Sequence, residues 1–199
     1  MTTSGRRRGR RGGGAGAGAG HDGPVPGTPA DLTPDADPES VARAIALRQL
    51  TVAARTRAQL SDAMARRGVP DEVAEAVLDR FEEVRLVDDE DFARQWVQTR
   101  HAGRGLSRRA LRRELQTRGV ADETVQAAVD EITPEAELEA ARQLVRRRLA
   151  GLVSDDPVRR TRRLAGMLGR KGYGTSVALR AIRDVTGEEV DGAEPSDTP

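Results

Sequence analysis

From residue 39 to residue 186 the apolar positions fall three and four apart in short blocks, and Gly, Pro, Ser or Asp closes each block. That spacing marks one face of an α-helix, and no stretch alternates long enough for a strand. Helices are predicted over 39–54, 57–67, 70–84, 89–101, 108–118, 122–132, 134–149, 157–171 and 175–185. Thr56 and Ser107 read as N-caps, and Gly68, Gly119 and Gly172 as helix stops.

The blocks repeat. Residues 56–81 align with 107–132 at an offset of 51 without a gap, and nine of 26 positions are identical. The identities include Arg57/Arg108, Leu60/Leu111, Gly68/Gly119 and Asp79/Asp130. A weaker third copy follows 53 residues on, where Leu164 and Leu168 hold the spacing of Leu111 and Leu115, and Lys171-Gly172-Tyr173 replaces Arg118-Gly119-Val120. Leucines four apart share one helix face. The glycine beyond them can adopt the left-handed conformation that ends a helix. One such unit has a small core, and three in series bury more. The expected fold class is all-α: three tandem three-helix repeats (39–85, 86–133 and 134–186) in an elongated, curved body.

Composition changes the picture at the ends. Residues 1–38 are rich in Gly, Ala, Pro and Arg, and 187–199 are acidic, so both are expected to be disordered tails. The first 40 residues hold five Arg and five acids, and the last 14 hold five acids and no base. The segment between them carries 28 basic against 22 acidic residues. The run Arg6 to Arg11 is followed by Gly and Ala and no apolar core, so it does not read as a signal peptide. No apolar run is long enough for a membrane helix. A cytoplasmic monomer without membrane attachment is expected.

Candidate chemistry is sparse. Cysteine is absent, only His21 and His101 supply imidazole, and there is no phosphate loop, dinucleotide fingerprint or zinc spacing. No catalytic residue, cofactor or metal is expected. The densest local pattern is LVDDEDFARQWVQTR from Leu86, in which Asp88 or Asp89 caps a helix and Phe92 and Trp96 form its apolar face. The aromatic pair reads as the core anchor at the first junction between repeats, with an exposed aromatic contact site as the alternative.

That run, followed by Gly103-Arg104-Gly105, the Ser-Arg-Arg-x-Leu-x-x-Glu-Leu-x-x-Arg-Gly stretch from Ser107 to Gly119 and the three tandem repeats, resembles the RecX family of regulators of the recombinase RecA. The resemblance spans nearly three quarters of the chain. It implies three-helix repeats, binding in the groove of the RecA filament on DNA, and modulation, chiefly inhibition, of RecA ATPase and strand exchange.

The chain's own residues point to an arginine-rich contact surface. The candidates are Arg100, Arg104, Arg108, Arg109, Arg112, Arg113 and Arg118 in the middle copy, and Arg146, Arg147, Arg148, Arg162, Arg163, Arg170 and Lys171 in the third. As groups they suit a polyanion or an acidic protein surface. Interleaved aromatics are missing, so contact with a nucleic-acid backbone and with protein is expected and base readout is not. Asp88, Asp89, Phe92, Trp96, Leu111, Leu115 and Gly119 read as the structural signature. The alternatives are a direct DNA-binding regulator, since the helix pairs superficially resemble helix-turn-helix units, and a purely structural scaffold.

Overall fold

The computed structural model describes residues 37–152 and 156–187. Apart from 37–38 and 187, the expected tails lie outside the described residues. Among those described there are nine α-helices and no strand: α1 Pro38–Val52, α2 Arg57–Ala65, α3 Asp71–Glu83, α4 Asp89–Arg104, α5 Arg108–Gln116, α6 Asp122–Asp130, α7 Pro134–Leu149, α8 Pro157–Arg170 and α9 Thr175–Thr186.

Local chemistry accounts for the helix ends. A reciprocal pair opens α2: the Thr56 hydroxyl accepts from the Gln59 amide, and Gln59 Oε1 accepts from the Thr56 amide. Ser107 Oγ accepts from the Ala110 amide at the start of α5. Gly68, Gly119 and Gly172 take φ of 75°, 75° and 90°, the left-handed geometry expected of them. The apolar residue after each glycine, Val69, Val120 or Tyr173, folds back and is buried.

One helix runs well past its expected end, and another keeps its expected length across two glycines. The fourth continues past His101 through Gly103 and stops at Gly105, whose φ is 59°. Acids fill its first turn and His101 and Arg104 its last, so both ends suit the helix dipole and support the extra length. The eighth runs unbroken across Gly166 and Gly169. Each glycine costs about 1 kcal/mol of helix propensity, but full burial of Leu164 and Leu168 contributes about 1.5–3 kcal/mol apiece.

The helices group in threes, each group around its own core. Ile45, Leu60, Met64, Leu78 and Phe81 fill the first. Val97, Leu111, Leu115, Val125 and Val129 fill the second. Val145, Leu164, Leu168, Tyr173 and Ile182 fill the third. The arginine after the N-cap of the middle helix braces each of the first two units. Arg57 pairs with Glu75, Asp79 (2.6 Å) and Glu82 (2.6 Å) of α3, and Arg108 pairs with Asp130 of α6. The third unit lacks that arginine, and Arg142 of α7 pairs with Asp184 of α9 at 2.5 Å.

Successive units meet at a narrow joint built twice on one plan. The end of each unit's middle helix abuts the start of the middle helix before it. At the first joint the Thr56 hydroxyl donates to the Arg118 carbonyl at 2.7 Å, and a Cβ on Gly119 would overlap the Ala58 methyl. At the second, the Ser107 amide donates to the Lys171 carbonyl at 3.1 Å, and a Cβ on Gly172 would lie 2.5 Å from Ser107 Oγ and 2.7 Å from Ala110 Cβ. Thr56 and Ser107 are the buried polar residues among those described, and their partners across the joint explain why burial is tolerated. An acid from the next unit's first helix closes each joint. Asp89 accepts from the Arg57 amide at 2.9 Å, and Glu137 accepts from the Arg108 amide at 2.8 Å.

Candidate basic groove between the second and third units

The second joint is the more extensive. Lys171 Nζ donates to the Arg104 carbonyl at 2.5 Å, and Tyr173 Oη donates to the Gly105 carbonyl at 3.1 Å. Burial pushes the Tyr173 hydroxyl up to about 12, so it remains a donor at neutral pH. Arg109 Nε donates to the Gly172 carbonyl at 3.1 Å. These contacts hold α5 beside the end of α8 and leave an open groove of about 650 Å³ between them.

The groove gathers arginines from both units. Arg109 and Arg113 stand one turn apart on α5, Arg118 follows at its end, and Arg170 comes from the last turn of α8. Leu106, Ala110, Gly169 and Gly172 line it without charge. A Cβ on Gly169 would meet nothing within 4 Å, so that glycine leaves bare helix backbone in the wall. The carboxylate in the lining, Glu114, accepts from Trp96 Nε1 at 2.8 Å. Ion pairs among the described residues engage Arg43, Arg57, Arg80, Arg94, Arg108, Arg142 and Arg146. None of the four groove arginines is in those ion pairs: Arg109, Arg113 and Arg170 are exposed, and Arg118 is partly buried and donates to the Glu114 carbonyl at 2.7 Å.

Trp96 backs the groove. Its ring lies under two guanidiniums, with Arg118 Cζ 3.7 Å and Arg100 Cζ 4.1 Å from the ring centroid, and it stacks on Phe92 at 5.7 Å. Cations over an indole face are attracted by the ring quadrupole. Burial draws the Arg118 guanidinium below its ordinary value, Glu114 opposes that shift, and Arg100 adds to it. An arginine so shifted still carries its proton at neutral pH. The aromatic pair is half-buried on the second unit's own core. The first junction is made instead by Asp89, Thr56 and Gly119.

The remaining candidate residues are placed elsewhere. Arg108 is committed to Asp130 and Arg112 donates to Gln126 Oε1 at 2.6 Å, both toward α6. Arg146 pairs with Glu139 at 2.8 Å, and Arg147 donates to the Gln143 carbonyl. Arg104, Arg148, Arg162 and Arg163 are exposed, the last two on α8 about two turns before Arg170. Leu111 and Leu115 are fully buried, as their spacing requires. Asp88 caps α4 by accepting from the Asp91 amide at 2.8 Å, while its neighbour Asp89 turns to α2. Burial raises the Asp89 carboxyl; the hydrogen bond from the Arg57 amide pulls the other way, and Glu82 adds to the rise. No group of His and acidic residues among those described is arranged to hold a metal ion, and none of the described helices is long and apolar enough to cross a membrane.

Family models match all three units: the second three-helix domain of RecX over residues 88–129, the first over 42–81 and the third over 135–182. The chain belongs to the RecX family. It is 54% identical over 179 residues to a protein of Thermobifida fusca named "Regulatory protein RecX", covering 88% of this chain and 95% of that one. A protein of the same name from Streptomyces lividans is 52% identical over 161 residues, covering 81% and 86%. Among solved structures, RecX from Lactobacillus salivarius superposes with a TM-score of 0.69 at 17% identity, covering 75% of this chain and 97% of that one. At that identity the likeness speaks to the fold.

Several working residues have no simple sequence signal. Glu137, Glu114 and Tyr173 make contacts across 18 to 68 residues. Thr56 and Ser107 are legible as caps, but the joint each one serves is not.

Proposed function

We propose that this chain is a non-enzymatic regulator that binds RecA and its filament on DNA and lowers RecA ATPase and strand-exchange activity. It acts as a cytoplasmic monomer, with the groove of Arg109, Arg113, Arg118 and Arg170 against acidic protein surface or DNA phosphate. Membership of the RecX family supports the regulatory role. The observation that carries the choice of surface is the convergence of four arginines, from two units, outside the internal ion-pair network. Guanidiniums held in a concave site suit carboxylate and phosphate oxygens. Units in series suit a long partner surface, because each presents a similar face one step further on.

Direct reading of DNA sequence finds less support. In the middle unit the third helix, α6, holds Asp122, Glu123 and Asp130 and no cation, which repels a phosphate backbone. The test is RecA ATPase on single-stranded DNA with this protein added below the RecA concentration. A fall in rate supports the proposal, and an unchanged rate and filament lifetime refute it.

A further inference from the structure

Glu114 and Arg118 are four residues apart, acid before base, the order and spacing at which a helix brings such a pair together. No ion pair joins them among the described residues. Trp96 of α4 engages both instead. Its Nε1 donates to Glu114 Oε2 at 2.8 Å, and its ring centroid lies 3.7 Å from Arg118 Cζ. The Arg118 guanidinium reaches back to the Glu114 main-chain carbonyl at 2.7 Å and leaves the carboxylate alone.

Each half of this arrangement serves the other. The half-buried indole N–H needs an acceptor, and Glu114 supplies it. The half-buried guanidinium has lost water, and the indole face offsets part of that loss. The carboxylate best placed to neutralise Arg118 is thereby held by Trp96, and Arg118 lines the groove as a cation beside Arg109 and Arg113. A released Glu114 would cancel one of the four groove cations.

The neighbouring units lack the device. Arg118 corresponds to Arg67 at an offset of 51 and to Lys171 at 53, so a base ends the middle helix in every unit. Glu114 corresponds to Ala63 and Met167, and Trp96 is the one tryptophan of the chain. Acid and indole occur together in the unit whose middle helix walls the groove.

We infer that Trp96 is a positioning residue that holds Glu114 away from Arg118 and so keeps this guanidinium available to a phosphate of a nucleic acid strand lying in the groove. The inference rests on the groove being the partner-binding face. A strand carries an anion at every nucleotide, so it meets cations from two units without a matched pattern of acids.

The experiment measures binding of a labelled oligothymidylate by fluorescence anisotropy over a range of salt concentrations. Trp96→Phe keeps an aromatic ring and removes the N–H. It is expected to weaken binding about three- to ten-fold, the loss of one charge-assisted contact. The slope of log affinity against log salt should fall by about 0.7, one phosphate contact on a single strand. Adding Glu114→Gln to Trp96→Phe should restore the slope and bring affinity to within about two-fold of Glu114→Gln alone. In an Arg118→Gln background, Trp96→Phe should change affinity by less than about two-fold. Unchanged binding by Trp96→Phe overturns the inference, as does a wild type that fails to bind oligothymidylate at low salt. A loss that Glu114→Gln does not restore, or one of equal size in the Arg118→Gln background, also overturns it and marks Trp96 as a packing residue alone. The groove reading is separable from these results. If Arg113→Glu/Arg170→Glu loses RecA inhibition while Trp96→Phe binds as the wild type does, the groove stands and the role of Trp96 falls. If Arg113→Glu/Arg170→Glu inhibits fully, the groove reading itself falls.

Discussion

Gly119 packs so closely on Ala58 that a side chain of even one carbon would overlap the Ala58 methyl, and this contact joins the first unit to the second. Gly172 repeats it against Ser107 and Ala110, joining the second to the third. Gly68 has the same φ of 75° as Gly119 but no unit in front of it, and a Cβ there would meet nothing within 4 Å. One residue type thus ends three helices and also spaces two joints.

The three glycines form a natural mutation series. Gly68→Ala should cost only the strain of a left-handed alanine, about 1–2 kcal/mol. Gly119→Ala and Gly172→Ala should each cost about 1–3 kcal/mol more, through overpacking at the joint. Urea unfolding of the three variants measures the ranking. Equal costs would mean that the joints yield without strain. Ala58→Gly should recover part of the Gly119→Ala loss and none of the Gly68→Ala loss.

A second prediction concerns pH at the first joint. Asp89 is raised above its ordinary value of 3.8 by burial, so the folded state holds this proton more tightly than the unfolded chain. By linkage, its contribution to stability is fully present below the unfolded value and is lost as pH rises through the raised folded value. Asp89→Asn keeps an acceptor for the Arg57 amide and removes that loss. Relative to the wild type, the variant should therefore be more stable near about pH 7 than near about pH 3. Thermal unfolding at the two pH values decides, and a difference of the opposite sign would contradict the account.

Much of this organisation was legible in the sequence. The repeat offset marks Leu60, Leu111 and Leu164 as equivalent core positions and Gly68, Gly119 and Gly172 as equivalent stops, because helix faces and helix ends are local properties. The division of labour among the arginines is not local. Arg108 and Arg109 are adjacent in sequence, yet one pairs with Asp130 inside its own unit and the other reaches Gly172 of the next. One position along a helix is about 100° of rotation, and only the placement of α6 and α8 determines which partner that rotation meets.

That contrast predicts separable phenotypes. Arg108→Met should lower stability by about 1 kcal/mol, as expected for a partly exposed ion pair, and leave RecA inhibition unchanged at temperatures where the variant is folded. Chemical denaturation alongside the ATPase assay measures both. Loss of inhibition without loss of stability would place Arg108 on the partner-binding face instead.

Gly169 offers a substitution in the opposite direction. It sits in the last turn of α8 with open space at its α-carbon, so Gly169→Ala should raise stability by about 0.5–1 kcal/mol. Gly169→Glu should be tolerated by the fold but place a carboxylate in the groove wall and weaken inhibition. Calorimetry and the ATPase assay check the pair, and full inhibition by Gly169→Glu would argue that the partner does not enter the groove.

The most direct measurement is RecA ATPase on single-stranded DNA, titrated with the double variant Arg113→Glu/Arg170→Glu and with the charge-matched control Arg66→Glu/Arg180→Glu. The control residues are exposed and lie outside the groove. The account predicts that the groove variant needs at least about ten-fold more protein for the same inhibition, a difference of about 1.4 kcal/mol, while the control stays within about two-fold of wild type. Equal potency of the two variants would contradict the groove as the surface through which this protein acts.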